Sequence, residues 1–394
     1  MTVYLDHAAS APLRPDVLEQ MLPHLTGVQA NPSSPHGPGR RARMALDEAH
    51  ERLGHAIGAE PRALIFTGGG TEAINLAVKG AAWAGKAEGH RIITTAVEHK
   101  AVLESCLLLE KYGFEVRKLP VDRYGRVDPD DLAAALTEKT ILVSLQLANN
   151  EVGTIQPMAE LIERVRAGSS ARIHIDAVQA AAWLPIDVDV LGADLVAFAA
   201  HKVEGPKGVG ALWMRRGTAI LPQVHGGSQE RYRRAGTENV AGAVGMAAAF
   251  ELAATERDQT VPAVRARRDR LRSAVLELDG VEQTGHASDR LPNSLSLVVP
   301  GIDGSDIAIA LDLEDIACST GSACTSGSTE PSHVLSAMGY PPAEARGALR
   351  LSLGRTTSDE DIDAVLAALP PIMERLRDGQ ARLDADDGAG SVEA

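Results

Sequence analysis

The sequence predicts an α/β protein whose larger part is built on a mainly parallel sheet and whose C-terminal part forms a smaller α+β domain. Three observations carry this expectation. Short β-rich runs alternate with helical patterns from about residue 60 to 215, the order that gives a parallel sheet with crossover helices. Most of those runs are consecutively apolar, as strands covered on both faces are. With 394 residues, 44% of them hydrophobic, the chain can bury one large core and a smaller one.

In chain order, strands are expected at Leu64 to Thr67, Arg91 to Thr95, Phe114 to Leu119, Ile141 to Leu147, Arg172 to Ile175, Leu195 to Ala199 and Gly210 to Met214. Helix starts punctuate them. Asp128-Pro129 reads as an N-cap followed by Pro at the first helical position, and Pro157 is expected to open another helix in the same way. From about 236 to 278 the sequence turns Ala-rich and then charged, which predicts one or two long helices leaving the sheet domain. Residues 293 to 299 read as a strand again and Leu349 to Leu353 alternates strictly, so both are assigned to the second domain. Ser358 with Asp361 is similar to a capping box, and Ile362, Val365, Leu366 and Leu369 follow at helical spacing. Pro370-Pro371 should end or kink that helix. From Asp378 to Ala394 the chain is acidic and poor in apolar residues, the composition of a disordered tail.

The net charge of -14 argues against duplex nucleic acid or an anionic membrane as the main ligand. The first residues lack the basic and apolar regions of a secretory signal, so the mature chain is expected to start there. No apolar run reaches the ~18 residues of a membrane span. Three cysteines, Cys106, Cys318 and Cys324, are too few and too irregular for a disulfide framework or a zinc site. A soluble cytoplasmic protein with no metal is the expectation.

The residues with chemical potential fall just beyond the carboxyl ends of the predicted strands, where open α/β sheets bind ligands. Gly68-Gly69-Gly70-Thr71 joins a strand to a helix. Its glycines allow close backbone approach and its first helical amides favour a phosphate, although a tight turn alone would account for it equally well. It matches neither a Walker A loop nor a GxGxxG fingerprint, so ATP and NAD are poorly supported. His201-Lys202 follows the apolar run 195–200, where desolvation favours the neutral amine a Schiff base needs. Lys207 lies in the following turn, and position alone does not separate the two lysines. Asp176 ends a buried strand, where a carboxylate must meet a cation such as a protonated pyridine nitrogen, or else caps the next helix.

These segments, with Glu98-His99-Lys100, Asn149 to Gly153, Asp176 to Gln179, Gly205 to Gly208, Arg234 to Thr237, Gly321 to Ser326 and Arg350 to Gly354, resemble the successive motifs of the cysteine desulfurases. The resemblance runs in order from Tyr4-Leu5-Asp6 to about Ile362, and the loop around Cys324 is similar to the NifS/IscS-like branch. It implies fold type I of the enzymes dependent on pyridoxal 5'-phosphate (PLP), a homodimer, and L-cysteine as substrate. It also implies a sulfur-acceptor protein as partner, left open among iron-sulfur assembly, tRNA thiolation, DNA modification and dedicated biosynthesis. The implied domains are an N-terminal segment 1–15 of the small domain, a large domain 16–257, a small domain 258–377 and the tail 378–394.

Carried over by position, the resemblance makes Lys202 the covalent cofactor lysine, pairs Asp176 with the pyridine nitrogen and places Gln179 at the ring hydroxyl. His99 stacks on the ring, Asn150 lies near ring hydroxyl and substrate, and Gly70, Thr71 and His201 hold phosphate, joined by Thr237 of the other subunit. Arg350 binds the substrate carboxylate with Asn31 beside it. Strict alternation agrees in part, since Leu349, Leu351 and Leu353 share one face and leave Arg350 on the other. Two departures stand out: Ala199 where the family has Ser or Thr, and Ser10-Ala11 where it has Thr-Thr.

The cysteines separate by context. Cys106 sits among Leu103, Leu107 and Leu108 at helical spacing and reads as core. Cys318 follows Ile316-Ala317 and reads as structural. Cys324 lies in a polar loop with no apolar partner, where an incidental exposed thiol is the bland reading; a mobile arm is what sulfur delivery requires, and the resemblance implies that Cys324 takes the sulfur as a persulfide. Another PLP reaction, such as a selenocysteine lyase, a carbon-sulfur lyase or an aminotransferase, is the nearest rival reading. A non-catalytic sulfur-carrier docking partner is the rival of another class, and the joint presence of Lys202, Asp176 and His99 argues against it.

Overall fold

The computed structural model describes residues 2–27, 30–321 and 331–390. After β1 (Val3–Tyr4), α1 (Pro15–Thr26) and α2 (Gly37–Ile57), strands and helices alternate as expected. They are β2 (Leu64–Thr67), α3 (Gly70–Ala84), β3 (Arg91–Thr95), α4 (Lys100–Glu110), β4 (Glu115–Leu119), α5 (Pro129–Ala135), β5 (Thr140–Gln146), α6 (Met158–Gly168), β6 (Arg172–Asp176), β7 (Leu195–Ala199) and β8 (Gly210–Met214). The predicted strands match within a residue at each end.

These strands form one seven-stranded sheet in the order β2-β8-β7-β6-β5-β3-β4. All neighbours are parallel except β8, which is antiparallel to both β2 and β7. The link from β7 to β8, residues 200–209, is shorter than a crossover helix requires, so the chain turns back on itself. Both faces are covered. Val143, Leu145, Ile173, Val196 and Phe198 pack with α2 side chains such as Leu46 and Leu53, while Ile92, Leu142, Ala197 and Leu212 pack with Ile74, Ala77 and Val102 from α3 and α4. The carboxyl ends of β2, β3, β5, β6 and β7 therefore emerge on one edge.

The chain continues through α7 (Gln229–Tyr232), α8 (Val240–Val275), β9 (Glu282–Gln283), β10 (Ser294–Val298), α9 (Gly304–Asp312), β11 (Ile316–Ala317), α10 (His333–Ala337), α11 (Pro342–Ala345), β12 (Ala348–Ser352) and α12 (Asp359–Gly390). Helix α8 is one element that joins the two cores: Met246, Ala247 and Phe250 pack with the large sheet, while Val264, Leu271 and Val275 pack with the second core. That second core covers the antiparallel sheet β12-β10-β9 and includes Val3 and Leu5. Strand β1 pairs in parallel with β11, so the start of the chain is built into the C-terminal part.

Three local expectations are confirmed and three corrected. Asp128 accepts from the Asp130 amide at 2.8 Å, and Ser358 and Asp361 cap each other's amides at 3.1 and 2.8 Å. Leu349, Leu351 and Leu353 lie in the second core. Pro157, in contrast, is the residue before α6 rather than its first. Helix α12 runs on through Pro370 and Pro371, of which the first is half-buried and the second exposed, so that carbonyls left without an amide partner have access to water. Its backbone continues to Gly390 through the stretch expected as a disordered tail, because extending a docked helix costs far less than nucleating one.

Candidate active site

A cavity of about 1210 Å³ opens at the carboxyl edge of the sheet. Gly70, Thr71, His99, Asn150, Asp176, Gln179, His201, Lys202 and Arg350, expected from widely separated motifs, all line it. Asn31 and Thr237 do not. Asn31 is exposed and accepts from the Ser33 amide at 2.8 Å in a local turn, while Thr237 is exposed beyond α7. Cys324 lies outside the described residues; Gly321 and Pro331, which bracket that segment, both line the cavity.

At one end, β2 passes into α3 through Gly68 and Gly69. Gly69 has φ +149°, a conformation side-chain-bearing residues rarely adopt. A Cβ on Gly70 would sit 3.0 Å from the Ala199 Cβ and 3.1 Å from Val178, so glycine lets the helix start close against the end of β7. The first amides of α3 face the cavity at the positive end of the helix dipole. Beside them His201, with Nδ1 3.4 Å from Ser10 Oγ, is driven down to about 4 by burial and by the charges of Lys202 and Lys207, so its ring is neutral. Glu72, from the same first turn, accepts from the Gly68 amide at 2.6 Å.

In the middle, Asp176 ends β6. Its carboxylate accepts from the Val178 amide at 2.9 Å, so it serves both readings the sequence left open, the local cap and the cavity carboxylate. Burial raises its pKa, opposed by the electrostatic interaction with His99, by the Val178 amide bond and by the charge of Lys202. His99 precedes α4, and its Nδ1 accepts from the Ala101 amide at 3.1 Å, which fixes the ring proton of the neutral form on Nε2. Gln179 Nε2 donates to the Ala8 carbonyl at 2.8 Å.

The two lysines are now distinguishable. Lys202 is half-buried and its Nζ donates to the carbonyls of Ala8 and Ala9 at 2.5 and 2.7 Å, whereas Lys207 is exposed at the rim. Facing them, Arg350 is 2% exposed. Its guanidinium donates to Asp6 at 2.7 Å, to the Asn150 carbonyl at 2.9 Å and to the Gly321 carbonyl at 3.2 Å.

Sequence reasoning missed two features. The Asp6–Ala9 turn supplies acceptors to both Lys202 and Arg350, which single-residue signals do not disclose. Glu98, which the sequence marks only as a neighbour of His99, is fully buried and pushed up to about 8 by that burial, with further elevation from Asp176. It accepts from Thr95 Oγ1 at 2.8 Å and from the Gln146 amide at 3.0 Å. Its signal was legible: a carboxylate following the apolar end of a buried strand.

Both other cysteines are inert by environment. Burial pushes each thiol, Cys106 and Cys318, up to about 12.

Comparison with known proteins agrees with this arrangement. The profile of the family described as aminotransferase class-V matches residues 3–365. The chain is 50% identical over 376 residues to a cysteine desulfurase IscS of Dictyoglomus turgidum, covering 95% of each chain. Among solved structures it resembles a NifS-like protein at 37% identity with a TM-score of 0.90, over 95% of this chain and all of that one. It is also similar to a structure described as SspA in complex with cysteine, at 32% identity and a TM-score of 0.80, covering 91% of this chain and all of that one. With cavity, lysine, carboxylate and arginine in one frame and relatives matched end to end, the chain belongs to the aminotransferase class-V family and, within it, to the cysteine desulfurases.

Proposed function

We propose that the protein converts L-cysteine to L-alanine with PLP as cofactor and passes the sulfur, as a persulfide on Cys324, to an acceptor protein. The carrying observation is the convergence of Lys202, Asp176, His99 and Arg350 on one cavity. The donor set fits PLP: helix amides of α3 with Thr71 and neutral His201 for the phosphate, a buried carboxylate in need of a cation, and an amine between them. We further propose a homodimer in which Thr237 reaches the partner's cavity, a cytoplasmic location, and domains of 16–257 and 258–377, with 1–15 joining the latter. Among the described residues no helix is long and apolar enough to cross a membrane.

In this reading, Lys202 holds the cofactor, Asp176 its pyridine nitrogen and Gln179 and Asn150 its ring hydroxyl. Bound PLP supplies an electron sink for the pair left when the Cα–H bond breaks. Arg350 takes the substrate carboxylate and so orients Cα. The Lys202 amine removes the Cα proton, and His99, its Nε2 proton fixed by the Ala101 amide, assists transfer at the substrate. The Cys324 thiolate attacks the substrate sulfur: a sulfur–sulfur bond forms, the carbon–sulfur bond breaks, its electron pair stays with Cβ and takes up a proton there, and the proton that Lys202 removed returns to Cα, giving alanine and a persulfide on Cys324.

The test is purification with PLP followed by product analysis with L-cysteine. Stoichiometric alanine with protein-bound persulfide is the expected result, and pyruvate would instead indicate β-elimination. Lys202→Ala should lose the cofactor absorbance band while Lys207→Ala keeps it.

A further inference from the structure

Glu72 stands where a phosphate site should not carry a negative charge. It is the third residue of α3, lines the cavity, and holds the Gly68 amide at 2.6 Å just before the helix begins. An acidic side chain in the first turn stabilises a helix through the dipole, but a phosphate bound at the same end meets a like charge. Arg234, from the segment after α7, answers it with two bonds: Nε to one Glu72 oxygen at 2.8 Å and Nη2 to the other at 3.2 Å. Both side chains are about three-quarters buried, so the pairing is only partly screened by water.

We propose that Arg234 is the counter-ion that makes the Glu72 carboxylate compatible with the cofactor phosphate, and is thus a positioning residue of the phosphate cradle. This rests on the PLP reading above. Glu72 completes the turn by satisfying the Gly68 amide, which leaves the next amides, at Gly70 and Thr71, to the phosphate. Arg234 cancels the charge that this capping introduces. The forked geometry matters, because a guanidinium spans both carboxylate oxygens and fixes the carboxylate plane, whereas an ammonium meets them as a point charge.

The experiment is titration of the apoprotein with PLP, read as cofactor absorbance and as a dissociation constant. Arg234→Ala should weaken PLP binding roughly tenfold, the scale of one unshielded like charge near a partly exposed anion. Arg234→Lys should fall between, and Glu72→Gln alone, which leaves the Arg234 charge unopposed beside the phosphate, should bind PLP at least as tightly as the parent. The double variant Glu72→Gln with Arg234→Ala should recover to within about threefold of the parent, and the Arg234→Ala deficit should shrink as salt rises from about 0.05 to 0.5 M. A merely structural role would not give recovery in the double variant. If Arg234→Ala fails to fold, Arg234→Gln carries the same expectation. An unchanged dissociation constant in the single variant, or a double variant as weak as the single, overturns the proposal. Absence of PLP binding by the parent protein overturns the cofactor reading itself, a separate result.

Discussion

Asp6 Oδ1 accepts from Arg350 Nη2 at 2.7 Å, which ties the turn after β1 to the middle of β12 across the floor of the cavity. Arg350 is almost wholly buried, so Asp6 is the nearest counter-charge to a guanidinium that has little access to water. Asp6→Ala should lower stability by about 1 to 3 kcal/mol, the range for a lost bond to a buried charged group. Urea unfolding of the apoprotein measures it. The Michaelis constant for cysteine should rise while the cofactor band persists, because the substrate seat is loosened and the cofactor seat is not. Asp6→Asn, which keeps an oxygen acceptor, should lose less on both counts.

Glu98 gives the fold a pH dependence of known sign. Its folded pKa is about 8 against an ordinary value of 4.5, so between those values the folded state binds a proton that the unfolded chain has released. Its contribution to stability therefore falls as pH rises from about 4.5 and levels off above 8. Buried Asp176, also raised, adds to the same trend at the lower end. Glu98→Gln keeps an oxygen for Thr95 and Gln146 and removes the titration. Melting of the apoprotein at pH 6 and at pH 9 should show a larger loss in the parent than in this variant; equal losses would mean that Glu98 is not held neutral.

Ala199 lines the cavity beside Gly70, at the position where the resemblance leads one to expect a hydroxyl. Ala199→Ser should tighten PLP binding by adding a hydrogen bond to a charged phosphate, a class of interaction worth about 1.5 to 3 kcal/mol. The dissociation constant for PLP checks it, and an unchanged or larger value would show that the serine rotamer is claimed elsewhere.

The extent to which this site was legible follows the physics of each residue. Lys202, Asp176, His99 and Gly70 sit at strand ends, where the period of the apolar runs places them on one edge, and the strands themselves were readable because burial on both faces makes them continuously apolar. Arg350 was singled out by the resemblance, and alternation agrees with it in part, since its neighbours Leu349 and Leu351 belong to the core. Asp6 and the Ala8 and Ala9 carbonyls were not, because their role arises from the pairing of β1 with β11, a contact across more than 300 residues that no local pattern encodes. The prolines of α12 misled for the opposite reason: the local rule was right about the missing amides, but access to water at that point of the helix absorbs the cost.

Cys324 is the residue at which sulfur transfer and generic PLP chemistry part company. Replacing it with serine leaves Lys202, Asp176, His99 and Arg350 in place, so cysteine should still bind and shift the cofactor spectrum. Serine's hydroxyl, with a pKa far above that of a thiol, is a poor nucleophile toward sulfur, and alanine and persulfide formation should fall to near background. The other two thiols are not substitutes. Each is pushed up to about 12 by burial, Cys106 inside the α3–α4 layer and Cys318 against the second core, so neither is a thiolate at neutral pH. Cys106→Ser and Cys318→Ser should accordingly stay active where they fold. Mass spectrometry after brief exposure to cysteine should place the added sulfur on the peptide containing Cys324, whose flanking residues Gly321 and Pro331 both line the cavity. Alanine production by Cys324→Ser at near the parent rate, or sulfur found on Cys318, would overturn the mechanism while leaving the fold and the cofactor site intact.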